Sequence, residues 1–193
     1  MVIGVTGKYC AGKNVVTGIL RDKGFEVIDV DSLGHEALEN KKDDIASRFG
    51  SEVLDADKRI DRKALGSRVF GDRKELDALE GIVHPWMKER VRREISSAGN
   101  DRNWVVNAAL LFYMDLHPLC DAVIWVKSSL PRRLARALKR DRLSLGEVLK
   151  RFYSQRKLSA QSSENDVDIY YIDNSRDFDN VLRGVDRVVA RLK

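Results

Sequence analysis

Gly7-Lys8-Tyr9-Cys10-Ala11-Gly12-Lys13-Asn14 constrains the fold more than any other stretch of the chain. It is entered from Met1-Val2-Ile3-Gly4-Val5-Thr6, an apolar run, and left through Val15, Val16, Ile19 and Leu20, which share one face of a helix. Strand, glycine-bounded turn and helix in that order form the setting of a phosphate-binding loop. Backbone N–H groups of such a loop point inward and make a concave anion site, reinforced by the positive end of the following helix. Gly7 and Gly12 permit backbone angles that a Cβ forbids. Lys13 reaches back over the loop toward β- and γ-phosphates, so ATP is the expected ligand of residues 7–15. The last motif position usually carries a hydroxyl that binds Mg²⁺. Here it is Asn14, whose amide oxygen is a metal ligand set further along its side chain.

The net charge is +5 and the pI about 9.2, which raises the question of a nucleic-acid surface. Its distribution argues against one. Between Lys127 and Lys157 stand 11 Lys and Arg against Asp141 and Glu147, a local excess of +9 that leaves the remainder at −4. A basic excess confined to one segment of a chain with a phosphate loop suits a phosphate-rich small ligand. No apolar run approaches the ~20 residues of a membrane span. The apolar start lacks a basic leader, and Cys10 and Cys120 are too few for a disulfide framework. The expectation is a cytoplasmic protein without nucleic-acid or membrane partners, a monomer or weak homo-oligomer.

Phe25-Glu26-Val27-Ile28-Asp29-Val30 reads as a second strand, after a helix stop at Gly24. Asp29 and Asp31 lie where an extended chain aims both acids one way. Ligands of open parallel sheets bind beyond the strands' carboxyl ends, so these acids are placed for phosphate and metal chemistry. Asp29 is the second candidate metal ligand with Asn14; Asp31-Ser32 also reads as a helix cap. Residues 32–98 look helical, with a turn at Asp55-Ala56-Asp57-Lys58 and a break at His84-Pro85. Trp104–Leu111, Ala122–Val126 and Ile169–Ile172 read as strands three to five, and their near-continuous apolar character predicts a parallel sheet covered on both faces. The basic segment, opened by Pro131, holds two amphipathic helices, and Phe178 to Leu192 form a final helical stripe. The reading is an α/β, P-loop NTPase-type three-layer fold with a five-stranded parallel sheet. Residues 1–31, 103–130 and 166–193 form the nucleotide-binding core, 32–102 a helical substrate-binding insertion and 131–165 a helical lid.

Along nearly its whole length the chain resembles dephospho-CoA kinase. The residues that carry the likeness, in order, are Ile3-Gly4-Val5-Thr6-Gly7 with the loop, Val27-Ile28-Asp29-Val30-Asp31, His35-Glu36, Phe49-Gly50 and Ile60-Asp61-Arg62-Lys63-Ala64-Leu65. Val69-Phe70, His84-Pro85, Leu110-Leu111-Phe112, Arg140-Asp141-Arg142-Leu143-Ser144, Gln155-Arg156 and Ile172-Asp173-Asn174-Ser175 follow. The resemblance implies transfer of the ATP γ-phosphoryl group to the ribose 3′-hydroxyl of dephospho-CoA, the last step of coenzyme A biosynthesis. It implies that Asp31 accepts the hydroxyl proton, that Thr6 and Lys13 support the phosphates and that Arg140 acts from the lid. His35, Arg62, His84, Pro85 and Leu111 fall near the acceptor, and the loop at Asn174-Ser175 faces adenine. The chain departs from the family pattern at Lys8, Asn14, Asn107, Ala109 and Tyr113. Two other readings stand beside the kinase: a catalytically weak or inactive nucleotide- or CoA-binding protein, and a kinase for another small acceptor such as a nucleoside monophosphate.

Overall fold

A computed structural model describes residues 1–97, 102–141, 144–154 and 166–192. The chain divides into two compact units, Met1–Asp29 with Ala98–Lys193, and Val30–Ser97.

The first unit is built on a five-stranded, wholly parallel sheet. Its strands are β1 (Val2–Gly7), β2 (Glu26–Asp29), β3 (Trp104–Asn107), β4 (Ala122–Lys127) and β5 (Asp168–Asp173), in the spatial order β2-β3-β1-β4-β5. The apolar runs become the buried inner strands, as expected of parallel sheets covered on both faces. Helices α1 (Lys13–Asp22) and α8 (Phe178–Leu192) cover one face. There Val16 and Leu20 of α1 and Val181, Val185 and Val188 of α8 pack with Ile3, Val5, Val105 and Ile124. Each such side chain contributes about 1.5–3 kcal/mol by leaving water. The opposite face is packed by the segment after β3. A Cβ at Gly4 would sit 2.8 Å from Leu111 Cδ1, and Phe112 stacks on Trp125 with centroids 6.0 Å apart. Helices α6 (Leu130–Asp141) and α7 (Leu145–Ser154) follow β4.

Two strands are shorter than their apolar runs. After Asn107 only Ala108 prolongs the ladder, its N–H donating to Val5 O at 3.1 Å, and the chain then turns through 109–115. Buried Ala108 and Leu111 explain the over-reading, because a buried loop is as apolar as a strand. Likewise β2 ends at Asp29 and Val30 already opens a helix, so the extended alternation assumed to align Asp29 with Asp31 does not span them.

The second unit holds α2 (Val30–Asn40), α3 (Lys42–Phe49), α4 (Arg62–Val69) and α5 (Arg73–Ser97) around Leu33, Ala37, Ile45, Phe49, Leu65, Val83 and Val91. Asp61 caps α4, its carboxylate accepting from the N–H groups of Lys63 at 2.9 Å and Ala64 at 3.1 Å. The Asp55–Lys58 turn closes on Asp55 Oδ1, which accepts from Asp57 N and Arg59 N at 2.9 Å each. Pro85 does not break the helix: α5 runs through it. The carbonyl it deprives of a partner belongs to Gly81, which is exposed and can be hydrated.

Candidate active site

The glycine loop leaves β1 at Gly7 (φ 155°) and enters α1 through Gly12 (φ 99°). At Gly7 a Cβ would lie 2.5 Å from Val126 O, and at Gly12 it would lie 2.0 Å from Asn174 Nδ2. Both positions therefore require glycine for space as well as for backbone angle. Between them Ala11 N donates to Lys8 O at 2.9 Å, and Cys10 takes a left-handed conformation at φ 58°.

The loop is braced by donors that seize three consecutive carbonyls. Arg133 Nε donates to Tyr9 O at 2.8 Å. Arg136 Nη1 donates to Cys10 O at 3.4 Å and to Ala11 O at 3.1 Å. Asn174 Nδ2 donates to Ala11 O at 2.9 Å. In a trans peptide the C=O and the following N–H point opposite ways. The N–H groups of Cys10 and Gly12 are thereby turned away from these donors. Arg136 Nη2 also donates to Asn174 O at 2.9 Å and Oδ1 at 3.3 Å, which locks the turn after β5 to the loop. Ser175 Oγ accepts from Ser129 N at 2.7 Å, and Ser175 N donates to Asp173 Oδ1 at 2.8 Å. Hydrogen bonding from Ser175 holds the Asp173 carboxyl below its ordinary range.

A cavity of about 520 Å³ opens at this loop. Cys10, Ala11, Gly12, Lys13, Asn14 and Val15 line one side, and Arg136, Lys139 and Arg140 of α6 line the other. Four cationic side chains thus face one space over a helix N-terminus, a setting for a polyanion. Burial of Arg133 lowers its guanidinium from the ordinary value, since a cation is less favourable away from water.

The remaining expected residues divide between the two units. In the first, Thr6 is buried and its Oγ1 donates to Ala109 O at 3.3 Å. Leu111 is fully buried. Lys8 is half-buried and Asp29 is exposed at the end of β2. Asp29 is the cross-strand partner of Asn107. Asn107 is only 4% exposed and its Oδ1 lacks a hydrogen-bond partner among the described residues. In the second unit Asp31 lies exposed in the first turn of α2, which begins at Val30, so it stands two residues inside the helix cap rather than at it. His35, Arg62 and Pro85 are exposed and His84 half-buried. Burial lowers the His84 pKa, with Glu80 opposing. Arg142, Gln155 and Arg156 lie outside the described residues.

Arg133 and Arg136 were not singled out from the basic segment, and Asn107 appeared only as a departure from pattern. One signal was available: Arg133, Arg136 and Arg140 recur at i, i+3 and i+7, which places them on one helical face.

The chain matches the family model for dephospho-CoA kinase over residues 1–179. It is 40% identical over 129 residues to a dephospho-CoA kinase of Borreliella burgdorferi, a match spanning 66% of this chain and 62% of that relative's length. It is 31% identical over 189 residues to a dephospho-CoA kinase of Fusobacterium nucleatum, spanning 97% of this chain and 96% of the relative. A crystal structure from Thermus thermophilus superposes with a TM-score of 0.81 at 30% identity, covering 100% of this chain and 98% of the other.

Proposed function

The chain belongs to the dephospho-CoA kinase family of ATP-using transferases, and on that premise we propose that it moves the ATP γ-phosphoryl group to the 3′-hydroxyl of dephospho-CoA. The observation that carries the proposal is the cavity at the glycine loop, where Lys13, Arg136, Lys139 and Arg140 converge. Phosphoryl transfer asks little covalent work of a protein; it asks for in-line positioning and for neutralisation of spreading negative charge. In this reading the N–H groups of the loop and the α1 terminus bind the triphosphate, and Lys13 spans its β- and γ-groups. Arg140 meets the charge that develops on the transferred group. The pair α6–α7 acts as a lid that excludes water, which suppresses wasteful hydrolysis.

Asp31 takes the acceptor's proton. A carboxylate is a weak base toward a ribose hydroxyl, so Asp31 chiefly orients the oxygen and receives its proton late, as the bond to phosphorus forms. Arg62, His84 and Pro85, with His35, contribute to the acceptor's binding surface, while Leu111, fully buried against Gly4, supports the first unit from within. Asn174 and Ser175 hold the turn that bounds the adenine.

Magnesium accompanies ATP in such chemistry. The side chains at the carboxyl ends of β2 and β3 suit it: a hard cation takes oxygen ligands, and Asp29 lies in register with Asn107, whose buried Oδ1 has no partner among the described residues. Asn14 at the start of α1 adds a third oxygen. Bound there, the ion would neutralise phosphate charge and orient the β- and γ-groups.

The test is direct. Purified protein with ATP, Mg²⁺ and dephospho-CoA yields coenzyme A, and Asp31→Asn cuts turnover at least a hundredfold with ATP affinity changed little. A protein that binds both ligands and forms no product would refute the kinase. Preference for a nucleoside monophosphate acceptor would replace it with the other kinase reading.

A further inference from the structure

Tyr9 stands in the middle of the glycine loop, yet its side chain turns outward and meets α6 and α7. Its ring lies 5.5 Å from the Arg140 guanidinium and 5.6 Å from that of Arg151. It meets Phe152 edge-on with centroids 5.6 Å apart. Arg151 Nη1 also donates to Tyr9 Oη at 3.5 Å. The Tyr9 carbonyl accepts from Arg133 Nε, and the same guanidinium lies 4.5 Å from the Phe152 ring centroid. Beneath the ring, Cys10 packs against Ala137 and Val148, one residue from each helix. Contacts from both helices thus converge on two adjacent loop residues.

The choice of an aromatic ring has a chemical consequence. A carboxylate that held Arg140 would neutralise it and compete with phosphate for its donors. A ring attracts the guanidinium through its face and leaves its formal charge unneutralised. Arg140 also lines the loop cavity, so the ring fixes it at the mouth of the site where the triphosphate is proposed to lie.

We infer that Tyr9 is a positioning residue, an aromatic platform that docks α6 and α7 on the glycine loop and sets Arg140 over the cavity before nucleotide arrives. This rests on the kinase reading for its consequence in catalysis, but the docking itself concerns the protein alone. Two cation–π contacts and one aromatic pair together hold the helices by a factor of about ten or more.

Amide hydrogen exchange on the full chain without nucleotide tests the docking. Exchange in 145–154 should quicken about tenfold in Tyr9→Ala, leave β1 and β4 unchanged, and return toward wild type in Tyr9→Phe, which keeps the ring. In the coenzyme A-forming assay Tyr9→Ala should raise KM for ATP several-fold and lower kcat less, because bound ATP re-forms the closed arrangement. Should Tyr9→Ala fail to fold, Arg151→Ala removes part of the same contact from the other side and should quicken the same segment. Unchanged exchange in 145–154 would overturn the inference, as would a uniform rise that includes β1. If none of the proteins makes coenzyme A while 145–154 still loosens in Tyr9→Ala, the kinase reading fails and the docking stands.

Discussion

Replacing Gly12 by alanine tests whether the loop is locked to the turn after β5 in the way the geometry implies. The new Cβ would lie 2.0 Å from Asn174 Nδ2 and 3.3 Å from its Cγ, while the next atom, Arg136 Nη1, is 3.4 Å away. The Asn174 amide must therefore leave. It gives up the bond to Ala11 O at 2.9 Å and the one from Arg136 to Oδ1 at 3.3 Å, together about 2 kcal/mol. The left-handed backbone, φ 99° at Gly12, adds about 1–2 kcal/mol once a Cβ is present. The sum is about 3–4 kcal/mol, a large share of the 5–15 kcal/mol typical of a domain. A double-mutant cycle separates the terms. Asn174→Ala alone loses the same hydrogen bonds, about 2 kcal/mol, but it also removes the clashing atoms. In that background Gly12→Ala should cost only its backbone strain, so the pair is sub-additive by about 2 kcal/mol. Urea denaturation followed by circular dichroism measures all four proteins, and isothermal titration with ATP gives the matching loss of affinity. Additivity within about 0.5 kcal/mol would show that the two residues do not share this contact.

Asn14→Ser supplies the hydroxyl that a phosphate loop ordinarily offers the metal. The ratio of ATP affinities with and without Mg²⁺ should rise several-fold, read by titration. Pro85→Ala restores an N–H facing Gly81 O in the continuous helix α5 and should raise thermal stability by about 1 kcal/mol or more; a loss would mean the fixed φ is required. Burial, aided by the Asp121 charge, pushes the Cys120 thiol up to about 12 from 9.0. The folded chain thus keeps a proton that the unfolded chain releases above pH 9, and stability falls as pH rises from there, by up to about 1.4 kcal/mol per pH unit. Cys120→Ala should remove that slope in denaturation curves at pH 9 and above. At pH 8.5 the wild-type thiol should resist iodoacetamide until denaturant is added.

The parallel sheet was legible because each inner strand is an uninterrupted apolar run, a pattern that little else produces when a glycine loop and helices separate the runs. Strand ends were not, since burial and extended conformation leave the same residues behind: Ala108 and Leu111 are as buried as Val105 and Val106, but only the latter pair with β1 and β2. Pro85 misled for a related reason. Proline removes one hydrogen bond and adds one clash, and whether a helix survives that depends on what residue i−4 is and whether water reaches it, a three-dimensional fact. The loop was readable to the residue because its chemistry is sequential. Its braces were not. Arg133, Arg136 and Asn174 reach it from 124 residues and more away along the chain, and Asn174 entered only through family likeness.

The same contrast bears on the tolerance of Cys10 at φ 58°. A non-glycine residue held left-handed costs about 1 kcal/mol or more, and in an isolated loop nothing would offset it. Here the thiol is buried with Ala137 and Val148, its carbonyl accepts from Arg136, and the neighbouring ring meets Arg140, Arg151 and Phe152. Strain in the loop and docking of α6 and α7 are therefore coupled quantities: whatever loosens the helices leaves the Cys10 backbone with less to hold it. The N–H groups of Cys10 and Gly12 take their direction from that backbone. On the proposed reading, an anion bound at this loop would favour the strained conformation, and through it the docked helices, so that phosphate binding and docking would strengthen one another by the same free energy in either order.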